Sequence, residues 1–262
     1  MGYLDLETLR KETPSVFAEK PHVKVSDKYT FIPTTEVIDL LADKGWLPTK
    51  AKQYISRKDL SSNQYRKHLI RFRNENLVND FKSLDETLPE IVLFNSHDAT
   101  SSFRFNIGLF RLVCENGLVV ATENFGECRI RHQNYNSNDV IRTINEMTDN
   151  FPTIYNNMES MKSKILTDND VIEYGRIASK NHWGEDRKID LDGLLKVRRQ
   201  EDDGNELWKV FNRVQENMLK GGIITSKKVK NRTIVNKTRP IKSVDTNVSL
   251  NKMLWGLTEE WL

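Results

Sequence analysis

Three features of this 262-residue sequence predict an α+β fold. Apolar residues alternate with polar ones through residues 65–73 and 103–109, apolar residues recur every three or four positions from 137 to 220, and the composition turns basic after 220. The expected architecture is a central antiparallel β-meander sheet packed against a set of α-helices, with a basic C-terminal hairpin and a short terminal helix. One domain is expected over 1–262: an irregular segment over 1–33, mainly strands over 60–135, mainly helices over 137–220, and the hairpin and closing helix over 221–262. A chain of this length buries roughly 70–75% of its unfolded surface, enough for a core without staples.

Each element has a local reason. Pro14, Pro21 and Pro33 divide the first segment too finely for long helices, and residues 22–31 could supply an edge strand. Thr34 and Thr35 are cap-capable hydroxyls ahead of Val37, Leu40 and Leu41 on one helical face, and Gly45 ends that helix. In residues 65–73, His68, Ile70 and Phe72 fall on one face of a strand, with Leu69, Arg71 and Arg73 on the other. The run Ile91-Val92-Leu93-Phe94 reads as a buried strand. Phe103, Phe105, Ile107 and Leu109 alternate with Arg104, Asn106 and Gly108, and a bulge at Gly108 would explain why both faces become apolar beyond it. Glu115-Asn116-Gly117 is a hairpin signal, because Asn and Gly tolerate the positive φ of a tight turn. A second turn at Asn124-Phe125-Gly126 leads into Cys128 to His132, where Arg129 and Arg131 share a face.

The helical part follows. Val140, Ile141, Ile144 and Met147, then Ile154, Met158, Met161 and Ile165, keep helical spacing, with Pro152 expected to kink or divide the helix. Thr167 caps a second helix, residues 191–199 give a third, and residues 206–220 give a fourth that stops at Gly221-Gly222. From Lys220 to Lys242 there are eight Lys or Arg residues and no acidic one, flanked by Ile223-Ile224 and Ile234-Val235, which predicts a basic hairpin.

Several function classes are disfavoured at once. Lys+Arg 40 against Asp+Glu 37 leaves +3, so an argument for nucleic acid must rest on where the cations sit. Two cysteines make no disulfide framework, the N-terminus lacks an apolar leader, and no stretch reaches the ~18 apolar residues of a membrane span. The expectation is a cytoplasmic protein of the host cell with no membrane partner and no cofactor.

Ordered motifs carry a family resemblance. Asn95-Ser96-His97-Asp98, the run from Gly108 to Leu118, Arg131-His132, the run from Leu194 to Arg199, the run from Leu207 to Asn217, Gly221-Gly222, Thr238-Arg239-Pro240 and the run from Leu250 to Trp255 together resemble the phage- and plasmid-like proteins of the domain-of-unknown-function family numbered 932. The resemblance runs from about residue 60 to the end. Ala99 stands where the family motif has Gly. What the resemblance implies is a mobile-element origin, with no enzyme activity attached.

The same residues offer candidate chemistry. Ser96-His97-Asp98 holds the residue types of a hydrolase triad, but adjacent positions point to opposite sides of an extended chain, so a hydrogen-bonded loop is the better reading. Cys114, Cys128, His97 and His132 lack metal-finger spacing, and no metal site is expected from them. The carboxylate pairs Asp168/Asp170, Glu185/Asp186 and Asp202/Asp203 read as solvated caps. A basic surface remains: Arg71, Arg73, Arg104, Arg129 and Arg131 on one sheet face, flanked by Lys227, Lys228, Lys230, Arg232, Lys237 and Arg239 of the hairpin. The leading expectation is a phage- or mobile-element nucleic-acid-binding protein, with single-stranded DNA in recombination or replication as its ligand. The alternative is a module that binds and modulates a host protein, such as a defence factor. Assembly as a homo-oligomer stays open.

Overall fold

The computed structural model describes residues 2–56, 58–80, 87–111, 118–120, 128–130, 136–230 and 232–262. They form two compact units that meet in sequence between Phe151 and Pro152. The architecture is α+β, with two antiparallel sheets and eight α-helices among the described residues.

The first unit is built on a six-stranded sheet. Strands β1 (Trp46–Gln53), β2 (His68–Asn74), β3 (Thr87–Asn95), β4 (Phe103–Arg111) and β5 (Leu118–Val120) follow one another as a meander, and β6 (Cys128–Ile130) pairs with β4. β5 takes Ile107 to Leu109 of β4 and β6 takes Phe103 to Phe105, so the two short strands share one edge. Alternation decides what each face does. Ile70, Phe72, Ile91, Leu93, Phe103, Phe105 and Ile107 are wholly buried on the core side. Packed with them in this unit's core are residues of α1 (Leu6–Glu12), α2 (Thr34–Ala42) and the first half of α4 (Ser137–Ser163), among them Leu9, Val37, Leu41, Ile144 and Phe151. The Trp46 ring stacks on Phe151 at 5.7 Å between centroids. A short helix, α3 (Glu75–Asp80), follows β2.

Four local expectations change. Residues 22–31 form no strand but an irregular segment. It is held by isolated bonds such as His22 N–H to the His97 carbonyl at 2.8 Å. Thr34 does not cap α2, whose N-cap is Pro33; its hydroxyl is committed to a buried polar cluster instead. The helix buries Thr34, Val37, Ile38 and Leu41, a face rotated from the one anticipated. No bulge occurs at Gly108, which pairs in unbroken register with Glu90 and with Val119. The Asn116-Gly117 turn, the turn at 124–126 and Arg131 lie outside the described residues.

The second unit is mainly helical. α4 is one helix with Pro152 inside it, undivided. α5 (Asp168–Trp183) starts from Thr167 in a reciprocal capping box with Asp170, as the sequence anticipates. After β7 (Arg187–Ile189), α6 is only Leu191–Leu195, because residues 196–199 leave the helix to bind α7 (Leu207–Lys220). α7 is the axis of this unit: Val210, Phe211 and Val214 are fully buried, and so nearly are Asn212, Arg213, Gln215, Glu216 and Asn217 on its polar side. Trp208 stacks on Phe211 at 5.5 Å, and Phe211 meets Trp255 of α8 (Val244–Glu259) edge-on. β8 (Ile224–Val229) and β9 (Arg232–Lys237) make the expected hairpin, and β7 completes a sheet of order β7-β8-β9.

Candidate nucleic-acid interface

Most of the motif residues are structural clasps. In the first unit, Ser15 Oγ lies 2.9 Å from His68 Nδ1, and Thr34 Oγ1 lies 3.0 Å from His68 Nε2 and 3.3 Å from His97 Nε2. Asn95 Nδ2 donates to Thr34 Oγ1 at 3.0 Å, and Asn95 Oδ1 accepts the Ser96 amide at 2.8 Å. All of these side chains are buried, and burial pushes the His68 pKa down to about 4, so the ring is neutral. Ser96 bonds Ser101 and Asp98 bonds Thr100, so Ser96, His97 and Asp98 turn to three different partners and make no relay.

The second clasp joins residues 196–199 to α7. Arg199 holds Glu216 at 3.0 Å, Lys220 holds it at 2.5 Å, and Arg198 bonds Asn217. Asn217 Nδ2 donates to the Leu194 and Lys196 carbonyls at 2.8 and 2.9 Å. Burial raises the Glu216 carboxyl, but the bonds from Lys220 and Arg199 outweigh it and hold the group below its usual range.

The cations singled out in the sequence separate into two groups. Register does put Arg71, Arg73, Arg104 and Arg129 on one face of the first sheet, since Phe94, Arg104 and Arg129 are aligned across three strands and Arg71 is paired with Val92. That face also carries Glu90, fully buried, which takes Arg71 Nε on one carboxylate oxygen and Arg73 on the other at 2.5 Å. Arg104 lies over the Phe94 ring at 4.7 Å. Arg71, Arg73 and Arg104 are therefore engaged within their own sheet.

The hairpin cations behave differently. Lys227 pairs with Asp186. Among the described residues, Lys228, Lys230, Arg232, Lys237 and Arg239 have no carboxylate within ion-pair distance, and all five are exposed. Lys230 sits in the turn with φ +53. All six residues of β9 are exposed, among them Ile234 and Val235, the latter 63% exposed. Pairing sets Arg187, Lys227 and Arg232 on one face of this sheet, with Lys188, Lys228 and Lys237 on the other.

A cleft of about 440 Å³ opens beside this sheet, lined in part by His182, Trp183, Arg187, Lys237, Thr238 and Arg239. The first three come from the end of α5 and the start of β7, outside the segment that charge patterning singled out. Among the described residues, no group of three or more His, Cys, Asp or Glu side chains could hold a metal ion, and no helix is long and apolar enough to cross a membrane. Cys114 and His132 lie outside the described residues.

Fold and site together define an α+β protein with Arg71 and Arg73 neutralised by Glu90 in one unit and an exposed cationic sheet in the other. The chain belongs to the family described as domain of unknown function DUF932, whose model matches residues 21–255. It is 35% identical to two Escherichia coli K12 relatives, UPF0380 protein YfjQ and UPF0380 protein YafZ. Each similarity extends over 260 residues, 99% of this chain and 92% of the relative. No solved structure gives a significant match.

Proposed function

We propose that this protein binds nucleic acid, single strands in preference, through the β7-β8-β9 sheet of its second unit, and that it acts as a binder and not as a catalyst. One observation carries the reading: Lys228, Lys230, Arg232, Lys237 and Arg239 are exposed without acidic partners among the described residues, whereas Arg71 and Arg73 are neutralised by Glu90. A cation held by a carboxylate gains little from a phosphate, while an unpaired one releases the phosphate's counterions. Trp183 in the cleft lining offers a ring on which an unstacked base can stack, and exposed Ile234, on the same sheet face as Arg187 and Arg232, adds apolar surface. The mobile-element setting implied by the motifs would place such binding in recombination or replication.

Titration of a labelled single-stranded oligonucleotide at several salt concentrations tests this. Five phosphate contacts give a slope of about −3.5 in log K against log salt, a loss of about 100-fold between roughly 50 and 200 mM. A salt-independent isotherm, or no binding at low salt, would reject the interface.

The outer strand β9 favours a second reading, in which an acidic host protein adds a strand to it. Pull-down after nuclease treatment separates the two, since a protein partner survives the nuclease.

A further inference from the structure

The cleft beside the cationic sheet differs from the open hairpin surface in being concave and in mixing charge with rings. Arg187 enters from β7 and Arg239 from the segment that follows β9, Lys237 borders the cleft with its side chain assigned by pairing to the other sheet face, and no carboxylate lines the cleft among the described residues. Asp186, next to Arg187 in the chain, is turned to Lys227, whose hydrogen bond and charge hold its carboxyl below the usual range. His182 and Trp183 meet edge-on at 4.7 Å, and burial lowers the His182 pKa, which leaves a neutral ring there at pH 7.

The backbone that presents Arg239 is tightly fixed. The Gly222 amide donates to the Thr238 carbonyl, the Thr238 amide to the Ile223 carbonyl and the Ile241 amide to the Leu219 carbonyl, each at 2.9 Å. Gly221 adopts φ +65 and sits so close beneath Arg239 that any side chain there would meet its backbone. The two motifs Gly221-Gly222 and Thr238-Arg239-Pro240 are thus one device, which anchors the arginine at the cleft.

We infer that this cleft takes the terminal phosphate of a nucleic-acid strand, a phosphomonoester, with the adjoining nucleotide against Trp183. The inference rests on the interface proposed above. Charge supports it: a phosphomonoester carries about −1.5 to −2 at neutral pH, against about −1 for an internal phosphodiester, so the two arginines of the cleft, Arg187 and Arg239, suit the terminal group better. Size agrees, because a cleft of about 440 Å³ lies within the usual ~300–1,000 Å³ of small-ligand sites.

The test uses the full chain and three single-stranded oligonucleotides of one sequence, bearing a 5′-phosphate, a 3′-phosphate or hydroxyls at both ends. Binding is read by fluorescence anisotropy for the native chain, Arg239→Gln and Arg187→Gln, with thermal midpoints as the fold control. One phosphorylated strand should bind about tenfold tighter than the hydroxyl strand, identifying the end recognised, and the preference should fall below about twofold in either variant. Equal affinity for all three strands overturns the inference and leaves the interface standing. A preference that survives in both folded variants overturns the assignment to this cleft. If no strand binds, interface and inference fall together.

Discussion

A Cβ on Gly221 would lie 2.6 Å from the Arg239 carbonyl carbon and 2.8 Å from the Pro240 nitrogen. Both obstacles are backbone, so neither can swing aside as a flexible side chain would. Gly221 also has φ +65 and ψ −159, a region essentially closed to residues with a side chain. Gly221→Ala is expected to cost at least about 2 kcal/mol in urea denaturation and to weaken the phosphate preference of the cleft. Gly222 has open space around its Cβ direction but φ +86, so Gly222→Ala should cost about 1–2 kcal/mol from strain alone. Equal stability of Gly221→Ala and the native chain would contradict the close packing.

Glu90 is expected to be indispensable to the first unit. It is wholly buried between Arg71 and Arg73, and Thr49 Oγ1 approaches it at 3.5 Å. Glu90→Gln removes the charge and leaves two guanidiniums in a largely closed face, a change that costs about 3–5 kcal/mol when a buried pair is broken. Denaturant midpoints measure this. A loss below about 1 kcal/mol would mean that the arginines turn to solvent, and would return them to the list of ligand-binding candidates.

Acid sensitivity should follow from His68. Its folded pKa of about 4 lies below the ordinary 6.5, so the unfolded chain binds the proton more readily. Stability from this group is complete above about pH 6.5 and falls as the pH drops toward 4, by roughly 3 kcal/mol at the lower limit. His182 contributes in the same direction, because its pKa is also lowered by burial. The informative quantity is therefore a difference: the stability of His68→Gln should vary less steeply between pH 6.5 and 4 than that of the native chain. Parallel pH profiles would contradict a neutral buried His68.

Much of this architecture is legible in the sequence, and the omissions have physical causes. Alternation locates β2 and β4, and the unbroken apolar run Ile91-Val92-Leu93-Phe94 locates β3. β1 escapes it: Pro48, Lys50 and Lys52 break the pattern, and they are tolerated because β1 is an edge strand with a register shift between Pro48 and Lys50. β7 has three residues, too few for any period. Residues 196–199 look helical from Leu194, Leu195 and Val197, yet Arg198 and Arg199 gain more by reaching Asn217 and Glu216. The polar side of α7 reads as solvent-facing, and only tertiary structure shows that it is clasped.

The candidate site was half legible for the same reason. Charge counting finds the hairpin, because its cations are adjacent in sequence and no acid intervenes. It also groups Arg71 with Arg73, but not Glu90, a carboxylate that shares their sheet face with Val92 and Phe94 on the next strand. Arg187, His182 and Trp183 carry no sequence signal that links them to Arg239, some 50 residues away; the fold alone brings them to one cleft.

The hairpin claim is tested most directly by comparing two triple variants of equal charge. Lys228→Gln, Lys230→Gln and Arg232→Gln remove three unpaired cations from the sheet, while Lys20→Gln, Lys24→Gln and Lys28→Gln remove three exposed cations from the first unit. Salt-dependent binding of a single-stranded oligonucleotide is then measured for both. The account predicts that the hairpin variant loses about two units of slope in log K against log salt, while the control keeps nearly the native slope. Equal slopes in the two variants would contradict it, because binding would then depend on net charge and not on this surface.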